Sequence, residues 1–295
     1  MNKAVITGAT GAVGMALIEE LLNQNTQVLV LCHPGSKRNS QFPEGIRKIE
    51  CDASDYDSLE LDEEYDAFYH LAWMGTTGTD RNNMELQQQN VVNSLKAVNL
   101  AKRLGCKTFV GIGSQAEYGR VEGELKADTE TNPETGYGIK KLKANMETRK
   151  LARSLGMKHI WVRILSIYGP YDTPNSLVSY AIRSFKNNEK PSFTKGEQMW
   201  DYLFSKDAAK ALSLLPDKGK DGKIYVLGSG KAKPLKEYIL DIKEAVNPEA
   251  ECDFNREYPA NQVMYLKADT SDLKEDLNWE ATTDFKEGIK KILEG

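Results

Sequence analysis

The stretch Ala4-Val5-Ile6-Thr7-Gly8-Ala9-Thr10-Gly11-Ala12-Val13-Gly14 decides how the rest of this chain is read. A short apolar strand runs straight into a turn with glycines at positions 8, 11 and 14, and Met15 to Leu22 then carries helical apolar spacing. Strand, glycine turn and helix in that order form the context a dinucleotide site demands. Gly8 can make the tight turn, Gly11 removes a side chain where a diphosphate would approach the backbone, and Gly14 lets the helix pack close to the sheet. The helix N-terminus supplies amide donors and the positive end of a dipole, so Thr7, Thr10, Ala12 and Val13 belong to the expected cradle. Packing alone does not explain three glycines at this spacing so near the N-terminus.

Outward from that turn, Val28–Leu31, Ala67–Leu71, Phe109–Ile112 and Ile160–Ile167 are further β-rich runs, separated by longer segments with helical spacing. The alternation predicts an α/β fold: a doubly wound, Rossmann-like parallel sheet covered by helices. After Tyr168 the pattern becomes irregular, punctuated by Gly169-Pro170, Pro174 and Pro191. Ile224–Leu227 reads as another strand, and Asp207–Leu215, Leu235–Ala245 and Phe285–Leu293 read as helices. Residues 1–168 are therefore expected to form a dinucleotide-binding domain, with a later return of the chain near 200–230. Residues 169–295 are expected to form mainly a smaller, mixed α/β substrate-binding lobe.

At 295 residues and 40% hydrophobic content the chain can bury a core without staples. Its cysteines (Cys32, Cys51, Cys106, Cys252) and histidines (His33, His70, His159) are scattered and show no metal-ligand spacing, so no metal is expected. A net charge of −4 gives no global attraction to nucleic acid or anionic lipid. No apolar run approaches membrane-spanning length, and Met1 to Ile6 is needed as a strand rather than a leader, which leads to an expectation of a cytoplasmic protein.

Tyr137 and Lys141 stand four residues apart, which on a helix puts them on one face, and Ser114 lies upstream. A tyrosine titrates near pH 10 in water. An ammonium beside the phenol favours phenolate, so that Tyr137 can exchange a proton with a substrate hydroxyl or carbonyl near neutral pH. An acidic residue at the end of the second strand would bind the adenosine ribose of NAD, but Val28–Leu31 runs into Cys32-His33-Pro34-Gly35. Ser36-Lys37-Arg38 follows, where a cation could pair with a 2′-phosphate, so NADP(H) is favoured and NAD(H) remains possible. Asp52 and Ala53, after a third strand, are placed to meet the adenine edge.

These residues together resemble the extended short-chain dehydrogenase/reductase family, in particular its nucleotide-sugar epimerases, dehydratases and ketoreductases. The resemblance runs almost end to end. It rests on Thr7 to Gly14, His70-Leu71-Ala72, Asn90-Val91, Ser114 before Tyr118-Gly119, Tyr137 to Lys141, Tyr168-Gly169-Pro170, Asp201-Tyr202 before Asp207-Ala208, and Leu277-Asn278-Trp279. It implies that Leu71, Ala72 and Asn90 lie beside the cofactor and that Ser114 hydrogen-bonds the reacting oxygen. It also implies that Tyr137 donates or accepts the proton, while Lys141 binds the nicotinamide ribose and lowers the tyrosine pKa.

Dehydratases of this family carry acidic residues directly after the serine or threonine, where this chain has Gln115 and Ala116, with Glu117 one position further on. Dehydration is therefore disfavoured. Two arginines that commonly grip a diphosphate are also replaced, by Trp200 before Asp201-Tyr202 and within Tyr258-Pro259-Ala260-Asn261. Lys195, Arg183 or Arg256 could substitute, and Gln115, Ser166 and Trp200 are the expected substrate contacts. Arg163 is expected to be structural. The expected reaction is reduction of a 4-keto-6-deoxy sugar nucleotide. Sugar-nucleotide 4-epimerisation on bound NAD is the alternative, and a non-catalytic NADP(H) sensor is disfavoured by the presence of Ser114, Tyr137 and Lys141. Met84–Leu104 and Tyr137–Leu155 are long and amphipathic, and the family resemblance implies that they pair across a homodimer.

Overall fold

The apolar runs form one sheet because each is buried on both faces. In β1 (Lys3–Thr7) every residue after the first is buried, the signature of a parallel strand covered by helices on either side. The computed structural model describes residues 1–260 and 262–294. Beside β1 stand β2 (Gln27–Cys32), β3 (Arg47–Glu50), β4 (Ala67–His70), β5 (Thr108–Ser114) and β6 (Lys158–Ile164). The spatial order is β6-β5-β4-β1-β2-β3, and Ile224–Leu227 pairs outside β6 as a seventh strand, all parallel. The strand order reverses between β1 and β4, and in such a sheet ligands bind in the crevice at that reversal, beyond the strands' carboxyl ends.

Helices α1 (Ala12–Asn23), α2 (Met84–Arg103), α3 (Gly136–Ser154) and α5 (Ser205–Lys218) cover the strands, while α4 (Leu177–Lys186) packs in the lobe beyond them. On one face Met15, Leu17 and Leu21 of α1 join Ala208, Leu212 and Leu215 of α5 in a core cluster with Ile6 and Val30. On the other, Ala97, Val98 and Ala101 of α2 and Ala152 of α3 pack on Phe68 and Phe109. Helix α1 begins three residues ahead of the expected Met15, because Gly11 is still extended and Ala12 already helical.

The expected strand Ile160–Ile167 divides at Leu165. Its N–H still reaches the carbonyl of Leu227 at 2.9 Å, but β7 (Ser166–Tyr168) leaves the sheet and pairs with Tyr202–Phe204. A single serine, Ser166, within a β-rich run gives no clear sign of the change of partner. A separate core then forms around Tyr168, Phe204, Tyr238 and Phe285, with ring centroids 4.7 Å apart for Tyr168–Phe285 and 4.6 Å for Tyr238–Phe285. Asp201 is fully buried and accepts from the N–H groups of Ser229, Gly230 and Ala268, tying three segments together. Among the described residues no helix is long and apolar enough to cross a membrane. Nor, among them, is there a metal-ligand cluster, and the four cysteines are free.

Candidate active site

Gly8 has φ +67°, and a Cβ there would stand 2.4 Å from the amide nitrogen of Ala72, so the turn after β1 closes onto the chain leaving β4. The Ala72 N–H donates to Thr7 Oγ1 at 3.3 Å; Thr7 Oγ1 meets His70 Nδ1 at 2.9 Å, and His70 Nε2 meets Ser94 Oγ at 3.0 Å. Burial brings the His70 pKa down to about 3, so the imidazole is a neutral strut. Gly14 packs equally tightly, its absent Cβ 2.5 Å from Ala9 Cα. Gly11 differs. A Cβ there would meet nothing within 4 Å among the described residues, although Gly11 caps α1 and the first-turn amides open beside it.

A cleft runs from that turn along the carboxyl ends of the strands. Gly8, Thr10, His33, Ser36, Asp52 and Ala53 line one end, and Ala72, Trp73 and Asn90 the other. The fit to a dinucleotide is good: an open glycine face over free amides, then a polar end with a carboxylate and an imidazole. His33 Nε2 lies 3.3 Å from Asp52 Oδ2, and the Ser54 N–H holds the Asp52 carboxyl below its usual range. Arg38 is half-buried and turns its Nη1 to the carbonyl of Thr10 at 3.4 Å, and Lys37 is exposed; neither lines the cleft. Thr7, Gly11, Ala12, Val13, Gly14 and Leu71 belong to the turn and its surroundings but do not line the cleft. Asn90 bonds both polar groups of the Met74 backbone, at 2.9 Å each, and so fixes the wall near Trp73.

The reacting end is built by a turn and a helix start. Ser114 ends β5 and caps the turn Gln115–Glu117, its Oγ accepting from the Ala116 N–H at 3.2 Å and keeping its own proton free to donate. Thr135 caps α3 by accepting from the Gly138 N–H at 3.1 Å, and Gly138 sits so close to the Ala116 carbonyl that a Cβ would overlap it. Tyr137 is thereby seated beside Ser114. Glu117 faces the interior: its carboxylate accepts from the Ser114 N–H at 2.9 Å, Trp161 Nε1 at 3.0 Å and Arg163 Nε at 2.8 Å, with both charged side chains almost wholly buried.

Tyr137 and Lys141 share a helix face, but the ammonium stands at the far end of reach of the phenol ring. Lys141 Nζ donates to the Ile112 carbonyl at 2.6 Å and stands 3.8 Å from the centre of the Trp73 ring, 5.9 Å from that of Tyr137. The cation nearer the Tyr137 ring is Arg81, at 4.4 Å. Burial raises the Tyr137 pKa, with the Ser114 hydroxyl and Arg81 pulling it back. Burial brings Lys141 down to about 7. Trp73 meets Tyr137 edge-on and donates through Nε1 to Gln87 at 2.7 Å. Trp73 and Arg81 escaped the sequence reading. For Trp73 the signal was its place directly after His70-Leu71-Ala72, while Arg81 sits in a loop with no motif.

Gln115 lies in the turn after Ser114 and is half-buried. Ser166 and Trp200 are partners of each other, Trp200 Nε1 donating to Ser166 Oγ at 2.8 Å. Trp200 also borders a second hollow with Tyr180, Phe193, Tyr202 and Arg256. Arg183 instead donates to the Pro174 carbonyl and Lys195 is exposed; neither lines that hollow. Asn261 lies outside the described residues.

The model of the NAD dependent epimerase/dehydratase family matches residues 4–228. This chain belongs to that family. The epimerase/dehydratase-family chain is 24% identical over 300 residues to the CDP-abequose synthase of Salmonella typhimurium, covering 98% of its own length and 96% of the relative's. It is 25% identical over 312 residues to a trifunctional UDP-glucose 4,6-dehydratase/UDP-4-keto-6-deoxy-D-glucose 3,5-epimerase/UDP-4-keto-L-rhamnose-reductase of Arabidopsis thaliana, of which it spans 46%. The fold matches the UDP-glucose 4-epimerase of Thermotoga maritima, solved with UDP-glucose, at a TM-score of 0.88 and 22% identity over 99% of this chain and 97% of that one. It also matches the UDP-glucuronic acid 4-epimerase of Bacillus cereus, solved with UDP-glucuronic acid and NAD, at 0.85 and 20% over 99% and 98%. As a member of this NAD-dependent family the chain is an enzyme.

Proposed function

We propose that this enzyme reduces a 4-keto-6-deoxy sugar nucleotide, with Tyr137 as proton donor. The observation that carries the reading is the orientation of Glu117. With Gln115 and Ala116 after Ser114, the carboxylate nearest the reacting end is held in an interior ion pair, so dehydration lacks its acid and base there. A carbonyl–carbinol exchange needs only what Ser114 and Tyr137 offer. The Ser114 hydroxyl donates to the substrate oxygen, and Tyr137 supplies that oxygen's proton. Lys141 holds the nicotinamide ribose. NAD(P)H, when bound, supplies the hydride, and the cleft walls fix its distance and face. Reduction of a 4-keto sugar nucleotide is one of the three activities of the Arabidopsis relative, of which this chain spans 46%.

For the cofactor we favour NADP(H) on the side chains beside the glycine turn. The second strand ends without a carboxylate, at Cys32-His33, while Arg38 and Ser36 stand near Thr10. The Bacillus cereus neighbour was solved with NAD. Arg256, in the hollow beside Trp200, is the cation we assign to the substrate diphosphate. Residues 169–295 are read as the lobe that supplies this hollow.

Incubation with NADPH and a panel of 4-keto-6-deoxy nucleotide sugars, beside unmodified UDP-hexoses without added cofactor, tests the reading. Stoichiometric loss of NADPH is the expected result. Interconversion of the UDP-hexoses without such loss identifies a 4-epimerase, and cofactor that binds but is never turned over identifies a sensor. Tyr137→Phe is expected to lower turnover by about 10²–10⁴-fold with cofactor affinity retained.

A further inference from the structure

We infer that Arg81 is a positioning residue that, closer to the Tyr137 ring than Lys141 is, holds that tyrosine ready to ionise. Three observations carry this. The Arg81 guanidinium carbon lies 4.4 Å from the centre of the Tyr137 ring, within the range where a cation is attracted to an aromatic face. Phenolate spreads its negative charge into that ring, so a cation there stabilises phenolate more than phenol. The Lys141 ammonium stands farther from that ring, at 5.9 Å, with the Ile112 carbonyl at 2.6 Å and the Trp73 ring at 3.8 Å. Finally, Arg81 is delivered by a clamped loop. Its Nη1 donates to the Thr76 carbonyl at 2.8 Å, and Asn82 next to it accepts from the Gly136 N–H at 3.0 Å. A Cβ on Gly136 would lie 3.0 Å from the Arg81 carbonyl oxygen, so the loop sits directly on the residue that precedes Tyr137.

The other groups facing Tyr137 do not replace this charge. Ser114, from β5, is uncharged. Glu117, from the turn after it, is negative and paired with Arg163. Lys141, from α3 itself, is depressed by burial to about 7 and loses its charge as pH rises through neutrality. A guanidinium keeps its proton throughout that range, so Arg81 is the cation that persists where the tyrosine must ionise.

The inference concerns the proton-transfer residue of the proposed reaction, but its test needs no turnover. A fluorinated tyrosine placed at position 137 of the full chain gives one ¹⁹F resonance that reports ionisation of that ring alone. Arg81→Gln is expected to raise the pKa read from it by roughly one unit, the size of effect a charge at about 4–6 Å exerts. Arg81→Lys is expected to restore more than half of that shift, and Lys141→Met to produce a smaller one. The inference is overturned if Arg81→Gln leaves the titration unmoved. It also falls if Arg81→Lys shifts it as far as Arg81→Gln, which marks loop packing rather than charge, or if Lys141→Met shifts it further than Arg81→Gln.

Discussion

Gly8 and Gly11 stand three residues apart in one turn and are glycine for different reasons. At Gly8 the backbone is left-handed and a Cβ would overlap the Ala72 backbone, so Gly8→Ala must break the seating of β1 against β4. At Gly11 the backbone is extended and the added methyl would meet open space among the described residues. Gly11→Ala is therefore expected to unfold at the parent's urea midpoint within about 0.5 kcal/mol while weakening dinucleotide binding, whereas Gly8→Ala loses several kcal/mol of stability, about 2 or more. Equal stability loss in both would remove the diphosphate role of Gly11. Lys141 yields a pH test. Its folded pKa of about 7 lies below the ordinary 10.5, so between those values the unfolded chain holds the extra proton and stability rises with pH. Below about 7 both states are protonated and the burial penalty is complete. Lys141→Met removes that penalty, and its stability relative to the parent should be higher at about pH 6.5 than at about pH 9, by roughly 2–3 kcal/mol. Denaturant titrations at the two pH values measure the difference.

At the scale of elements, the turn Gln115–Glu117 joins β5 to the reacting end, and its stability depends on a charge the solvent never reaches. Glu117→Gln would leave the Arg163 guanidinium buried without a counter-charge, a loss of about 3–5 kcal/mol in urea unfolding. Because Glu117 also accepts from the Ser114 N–H, the variant should lose turnover beyond its loss of folded protein, as a CD-normalised rate would show. How far the sequence was legible follows from the kind of signal each element emits. Buried parallel strands such as β1 and β2 announce themselves as apolar runs, and the glycine turn as a spacing. The break at Leu165 left no clear mark, because both the sheet and the lobe want apolar residues there. Ser114, Tyr137 and Lys141 were legible as a set, but the partner of each was not. Spacing along α3 shows that Lys141 and Tyr137 share a face, not that Trp73 and the Ile112 carbonyl hold the ammonium aside. Arg81 and Trp73 arrive from the chain between β4 and α2, whose path is set by contacts such as Gln87 with the Gly75 carbonyl rather than by local pattern.

At the scale of the whole molecule, α2 and α3 leave Met84, Val92, Ile139 and Met146 exposed, Met146 by 60%. We propose that these helices meet their counterparts in a second copy. Light scattering at micromolar concentration should give twice the chain mass, and Met146→Glu should reduce it to the monomer; a monomeric parent would sink the proposal. The seventh strand, Ile224–Leu227, bears on how the molecule is made. Translation completes β6 long before its outer neighbour exists, so a nascent chain carries an unpaired strand edge while α4 and α5 are still being added. Such edges invite pairing with other chains. The yield of folded protein in a cell should therefore depend on how quickly the ribosome traverses that interval, and slow codons placed between Leu177 and Lys218 become a hazard that the finished protein would never reveal.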